Sequence, residues 1–576
     1  FDAEMDKHDK AELVAALAEA RAALATTREE NLALRAEAAA AVKRGPGLFP
    51  DSPGEESGEE EAARVDEVRA AAASLKGAAK VRVALGASLG NAVDAALASA
   101  ITLTVVEPNN NGIGSDAFAI IWDGSQLHGL NASGRSPAAW SPERFQGQAK
   151  MPTLGWDSVT VPGAVSAWVA MSDKFGKLPF AQLFEEAIRY ARHGYQVGPK
   201  SAYYWQGAPS RFRDYPDFLA TFCPNGRAPL TGERVYLLDH ANSLEKIARS
   251  HGKAFYQGEL AEAMVNAAKQ AGGALTLGDL ENHRADWVGT IEQSFAGTQL
   301  HEIPPNGQGL LALIALGICQ HLQLERYGVD SAESVHLQIE ACRIAYAEVE
   351  RHLADISAML ITPAQLLDPT YLRQRASEIH LDYANLQPTA LGAAPDTVYL
   401  TTADADGMMV SMIQSNYRGF GAGIVPPGTG ISLQNRGSGF TLEPGHPNQV
   451  GGGKRPYHTI IPGFVMAAGK PLMSFGVMGG HMQGQGHLQM MVRVMLHGQN
   501  PQAASDAPRW YLQEDGSVCL EAGFDPGVTS QLQDQGHPIL LNNPEHLFGG
   551  AQLIYNLDQG YCAASDHRKE GLAAGF

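Results

Sequence analysis

The sequence predicts a mixed α+β fold in which helices cover layered sheets, with a helical appendage at the N-terminal end. Three observations carry that reading. From about Gly90 onward, apolar strand-like runs alternate with segments of helical periodicity. The strand-like runs are numerous and separated by Gly-rich turns, so they need helices on their outer faces to complete a core. The first 45 residues have a different texture, rich in Ala, Glu, Leu and Arg, with no Gly or Pro before Gly45.

In chain order, Leu13, Leu17, Leu24, Leu32 and Leu34 fall near helical spacing and predict a long exposed or coiled helix. The acidic stretch Gly45–Glu61, full of Gly and Pro, is a linker by composition. A second Ala-rich helical stretch runs from about Ala62 to Ala79. None of this carries chemistry. Beyond it, Asn91–Val105 reads as a buried helix and Ala117–Trp122 as a buried strand. Phe180–Gly194 and Ser331–Arg351 have amphipathic helical periodicity, and Leu310–Cys319 reads as a buried helix too short to span a membrane. Val398–Thr402, Met408–Ile413, Gly430–Leu433 and Leu472–Val477 are expected to be strands.

Composition narrows the function. With 576 residues the chain can bury one large core or two medium ones. A hydrophobic share of 44% and a charged share of 18% are ordinary for a globular protein. A formal net charge of −19 argues against non-specific nucleic-acid binding, because a phosphate backbone would be repelled. The five cysteines are scattered and form no CxxC pair, which fits a reducing compartment better than a disulfide framework or a zinc site. No membrane span and no secretory signal is visible, so a cytoplasmic location is expected, although a chain opening on Phe1 leaves room for a lost leader. Val450–Arg455 (VGGGKR) lacks phosphate-loop spacing, His481 and His487 do not form HExxH, and Gly112–Gly114 lacks a dinucleotide helix signature. Neither cofactor nor metal is implied.

Several segments together resemble the gamma-glutamyltransferase family. They begin with Gly90–Ala95 (GNAVDA), Val105–Phe118 (VVEPNNNGIGSDAF), Val161–Ala167 (VPGAVSA), Pro304–Gly309 (PPNGQG) and His336–Glu348 (HLQIEACRIAYAE). They continue with Asp396–Asp404 (DTVYLTTAD), Gly419–Gly423 (GFGAG), Gly430–Gly437 (GISLQNRG), Lys454–Pro462 (KRPYHTIIP), Gly479–Gly480 and Ala563–Phe576. Each is weak alone; their order and spacing carry the resemblance. It implies a four-layer αββα sandwich of N-terminal-nucleophile hydrolases, cut from one precursor between Asp396 and Thr397. Residues 86–396 would form the large subunit and 397–576 the small one, with residues 1–85 outside the family pattern. That abrupt join is expected to reflect a frameshift, a misassigned start or a fusion.

The same resemblance makes Thr397 the nucleophile. A threonine hydroxyl is a poor nucleophile at neutral pH, and cleavage supplies a free α-amine of pKa about 8 on the same residue to act as base. Ser415 matches the hydroxyl residue that orients the nucleophile, and Gly479 and Gly480 match the oxyanion-hole pair. A turn is the alternative for any Gly-Gly pair.

Most of the family's grip on a glutamyl group is altered. Its arginine corresponds to Ser133, with Arg135 two residues later; an aspartate for the α-amine falls on Gly439, an asparagine on Tyr417 and a glutamine on Arg436. The serine pair becomes His458 and Thr459. Losing an acid removes the partner of a cationic amine, whereas Arg436 and Arg135 favour a carboxylate. The chain therefore resembles the branch that includes cephalosporin acylases and oxamate amidohydrolase. Arg135 as a surface ion pair and His458 as a residue behind the site are the competing readings. The expected reaction is cleavage of a small carboxylate-bearing amide, with water or an amine as acceptor. True gamma-glutamyl transfer or glutathione hydrolysis, and an uncleaved inactive scaffold, are the alternatives.

Overall fold

Residues 90–386 and 397–575 are described in a computed structural model of the chain. The expected helices before residue 90 and the residue Asp396 lie outside them. Two antiparallel sheets form the centre. Their strands are β1 (Asp116–Trp122), β2 (Leu127–Asn131), β3 (Asp286–Trp287), β4 (Ile291–Phe295), β5 (Thr298–Glu302) and β6 (Val398–Ala403). They continue as β7 (Met409–Ser415), β8 (Gly463–Ala467), β9 (Lys470–Met478), β10 (Gly550–Leu557) and β11 (Gly560–Ser565). One sheet has the order β3-β2-β1-β7-β6 and the other β11-β10-β9-β8-β5-β4.

Strand alternation explains the layering. In β1, Phe118 and Ile120 point into an apolar layer shared with Tyr399, Met409, Ile413, Phe464 and Met478, drawn from both sheets. Their neighbours Ala117, Ala119 and Ile121 point the other way, into a core with α1 (Ala92–Val106), α2 (Ala164–Phe175), α3 (Glu185–His193) and α4 (Leu238–Ser250). The second sheet does the same: Phe464 faces the first sheet, while Val465, Met473, Phe475 and Val477 face α5 (Gly309–Cys319), α6 (Ala332–His352) and α7 (Met482–Met491). Period-two side chains on strands buried on both faces thus give four layers, helix–sheet–sheet–helix. The αββα sandwich is the observed fold.

The buried helices α1 and α5 lie where the apolar runs placed them, and Asn91 closes α1 with a capping box to Asp94. Two expectations need correction. Gly430–Leu433 is not a strand; its one pairing is an isolated bridge from Leu433 to Gly114, within a loop that passes over the end of the sheet. Phe180–Gly194 is a 3₁₀ turn at Phe180–Phe184 followed by α3, because Pro179 starts a tighter turn before the helix settles. The five cysteines are all free thiols.

Candidate active site

The site is set by one rung of the first sheet. In the β6–β7 hairpin Val398 pairs with Gln414, so one step outward Thr397 lies opposite Ser415. On the far side of β7, Ser415 pairs with Asp116 of β1. Directly opposed residues of an antiparallel sheet share a face. Thr397, Ser415 and Asp116 follow the parity of Tyr399, Ile413 and Phe118, so all three look between the two sheets. The eighteen residues from Thr397 to Ser415 are therefore the length of a hairpin that brings two hydroxyls together. Thr397 is buried, 3% exposed, and its Oγ1 donates to Ser415 Oγ at 3.2 Å.

The second sheet supplies the facing wall. Thr401 Oγ1 lies 2.5 Å from Ser474 Oγ, and a Cβ at Gly476 would meet the Tyr399 ring at 2.4 Å. Glycine at 476 is what allows this close approach. Two residues beyond Gly476, Met478 enters the same inter-sheet layer as Tyr399 and leads directly into Gly479 and Gly480. Both glycines hold left-handed backbone, with φ of +116° and +58°. Their carbonyls accept from the N–H groups of Met482 and Gln483 at the start of α7.

A buried arginine ties these parts together. The Arg436 guanidinium donates to Ser415 Oγ at 3.4 Å and to Thr459 Oγ1 at 2.8 Å, and it lies 4.2 Å from the centre of the Tyr417 ring. Gln308 Nε2 donates to the Thr459 carbonyl and, at 2.8 Å, to the Gly480 carbonyl. One hydrogen-bonded chain thus runs from Thr397 through Ser415, Arg436, Thr459 and Gln308 to Gly480. Burial draws the Arg436 pKa down to about 10, opposed by the charge of Asp116, so it stays a cation at neutral pH. Its Nε–H, fully buried, has no acceptor among the described residues.

Behind Arg436 sits an acid that sequence reasoning missed. Asp116 Oδ2 lies 3.1 Å from His458 Nε2, and its Oδ1 accepts from the N–H groups of Gly163 and Gly134 at 3.0 and 3.3 Å. Burial raises the Asp116 pKa to about 7, with Arg436 and the two N–H donors pulling the other way. Burial and then the Arg436 charge hold His458 well below the usual histidine range, so its ring is neutral and its Nε2–H donates to Asp116. The only available sign of Asp116 was a charge opening an otherwise apolar strand (DAFAIIW).

Arg135 stands apart from this chain of contacts. It is 46% exposed, pairs with Asp355 at 2.9 Å and donates to the Gly453 carbonyl. The fit of an acid at position 439 is also settled by space: a Cβ on Gly439 would lie 2.5 Å from the Tyr457 carbonyl oxygen. Among the described residues, His336, Glu340 and His537 form a compact group of potential metal ligands. His336 Nε2 donates to the His380 carbonyl, which leaves its Nδ1 to accept from His537 Nε2 at 2.7 Å. Arg343 pairs with Glu340 at 3.0 Å, placing a cation beside the group, so its donors and acceptors are satisfied without an ion.

Residues 83–576 match the gamma-glutamyltranspeptidase family. The chain belongs to that family. Membership makes it an enzyme of the N-terminal-nucleophile amidohydrolase class. It is 34% identical over 503 residues to the oxamate amidohydrolase proenzyme of Klebsiella pneumoniae, covering 84% of this chain and 94% of the relative. It is 32% identical over 497 residues to the glutathione hydrolase-like YwrD proenzyme of Bacillus subtilis, again covering 84% and 94%. Among solved structures, the cephalosporin acylase of Bacillus halodurans superimposes with a TM-score of 0.81 at 40% identity, covering 92% of this chain and 99% of that one. No helix among the described residues is long and apolar enough to cross a membrane.

Proposed function

We propose that the chain cleaves itself between Asp396 and Thr397 and then hydrolyses an amide of a small carboxylate-bearing substrate through a threonyl acyl-enzyme. The observation that carries this reading is the buried Thr397 hydroxyl, bonded to Ser415 and linked through it to the Arg436 cation. Three relatives with proenzyme or acylase names support self-processing and amide chemistry.

In maturation, Thr397 Oγ1 attacks the carbonyl carbon of residue 396. The peptide C–N bond breaks, the nitrogen takes up a proton, and the acyl group passes to the hydroxyl oxygen as an ester. Water opens the ester, leaving a carboxylate on 396 and a free α-amine on Thr397. Strands from both sides of the cut share both sheets, β1 with β7 and β5 with β8, so the fragments stay joined as a heterodimer.

In turnover the α-amine, with pKa about 8 in a free peptide, takes the hydroxyl proton as Oγ1 attacks the substrate amide. Ser415 keeps Oγ1 in place. The N–H groups of Gly479 and Gly480 stabilise the tetrahedral oxyanion, where preorganised donors act most strongly. The amine leaves with the proton held by the α-amine, and water then repeats the sequence to release the acid. Arg436 holds the substrate carboxylate through its unpaired Nε–H and its charge. Gly439 leaves no room for an acid to grip an α-amine, which favours a simple acyl carboxylate over a glutamyl group.

The test is mass spectrometry of processed protein mixed with glutaryl-4-nitroanilide and quenched within a turnover. A glutaryl adduct on the peptide that begins at Thr397 is expected. An adduct on another residue, or turnover of gamma-glutamyl anilide alone, would overturn the reading.

A further inference from the structure

Beside the site stands a second arginine that neither the fold nor the proposed chemistry uses. Arg418 follows Tyr417 directly, and its guanidinium carbon lies 5.4 Å from the centre of the ring that Arg436 approaches at 4.2 Å. Two cations thus share one aromatic ring. Arg418 is only partly buried, yet its Nε–H is enclosed and has no acceptor among the described residues. An enclosed donor on a charged group is costly unless something accepts from it, which leaves this one available to a water or a ligand.

The loop that carries Arg418 is held under strain. Tyr417 and Phe420 are both in the left-handed region, with φ of +75° and +59°, though neither is glycine. Such conformations cost roughly 1–3 kcal/mol each and persist where the surroundings force them, often at ligand sites. Here Asn435 Oδ1 accepts from the Arg418 N–H at 3.1 Å, and Ser415 Oγ accepts from the Tyr417 N–H at 2.8 Å. The loop is therefore fastened to the nucleophile's own partner.

Two neighbours locate Arg418 relative to the chemistry. His481, next to Gly480, has its pKa lowered to about 3 by burial and then by the charges of Arg418 and Arg436. Glu514, the nearby acid, remains raised by burial although Lys150 and Arg418 oppose this. Arg436 is fully buried and Arg418 only in part, so Arg436 is the inner cation and Arg418 the outer.

We propose that Arg418 is a specificity residue for the leaving amine, and that the substrate carries two anionic groups. One, in the acyl part, meets Arg436; the other, in the amine part, meets Arg418. This rests on the reading of Thr397 and Arg436 given above. The preferred substrates would be amides joining a dicarboxylic acid to an amino acid or an aminobenzoate-like amine.

The experiment compares glutaryl-4-nitroanilide with glutaryl-3-carboxy-4-nitroanilide, which adds a carboxylate to the leaving amine only. With processed wild-type protein, KM for the carboxylated anilide should be about tenfold lower, the worth of one charge-assisted hydrogen bond. In Arg418→Gln that ratio should fall to about one, and Arg418→Lys should restore part of it. A wild-type ratio near one, or a ratio unchanged in Arg418→Gln, overturns the proposal. Should neither anilide be turned over, the acyl reading fails and the subsite is still decided by calorimetry. There, 3-carboxy-4-nitroaniline should bind wild-type protein more tightly than 4-nitroaniline does, and Arg418→Gln should abolish the difference. Equal binding of the two amines would count against the subsite.

Discussion

Replacing Arg436 by Gln removes the fully buried guanidinium that is linked to Thr397 through Ser415, leaving a shorter, uncharged polar side chain. The magnitude follows from its contacts. Its bond to Ser415 is long, 3.4 Å, so its loss should slow the chemical step by less than tenfold. Its worth to a substrate carboxylate is much larger, because truncating one partner of a buried charge pair costs about 2–4 kcal/mol, or roughly 30- to 700-fold in affinity. The assay is KM and kcat on two anilides, glutaryl and butyryl, that differ only in the terminal carboxylate. Arg436→Gln should raise KM for the glutaryl anilide by about 30-fold or more, leaving the butyryl anilide nearly unmoved in KM. Any slight misplacement of Thr397 affects both substrates alike and cancels in the ratio. Equal losses on the two anilides would falsify the carboxylate role and leave Arg436 as a brace for Ser415 and Thr459.

Three further outcomes follow from the same geometry. Ser415→Ala removes the 3.2 Å bond from Thr397 Oγ1 and should slow turnover by about 2- to 12-fold, with Ser415→Thr close to wild type; a rate unchanged in Ser415→Ala contradicts this. Gly479→Ala places a Cβ 3.0 Å from the Gly549 Cα at φ +116°, so it should lower the melting temperature and impair turnover together. Wild-type values in both scans would show that the backbone can relax. Asp116 has a folded pKa of about 7 against an ordinary value of 3.8, so its protonated form is favoured by folding. That contribution is complete below about pH 4 and is lost as pH rises through 7. Unfolding titrations of Asp116→Asn should show less loss of stability between pH 4 and 7 than wild type, and parallel curves would argue that Asp116 stays ionised.

Much of the fold was legible because burial on both faces of a strand leaves a continuous apolar run, as in β1 and β9, and because α1 and α5 are apolar on all sides. Ser415 was legible only through the family resemblance, which places a hydroxyl there; the hairpin register that sets it opposite Thr397 was not. Gly430–Leu433 misled because its apolar residues fill the first core from a loop, where burial mimics a strand without a ladder. Arg135 left two readings open because a charge near a motif carries no information about its partner; the structure shows the surface ion pair, with Asp355 220 residues away. Asp116 and Gln308 were hidden for the same cause. Their partners His458, Thr459 and Gly480 lie far along the chain, and only the stacking of the two sheets brings them together. The 3.1 Å contact between Asp116 and His458 joins one strand of the first sheet to the approach to the second.

The central claim is that Thr397 is made N-terminal by the chain itself. Intact mass and N-terminal sequencing of purified wild-type protein, beside Thr397→Ala, test it most directly. The account predicts a fragment of 180 residues, Thr397–Phe576, beginning Thr-Val-Tyr-Leu-Thr in wild type and absent in the variant. A wild-type chain that remains whole, or one cut at the same bond in Thr397→Ala, would contradict it.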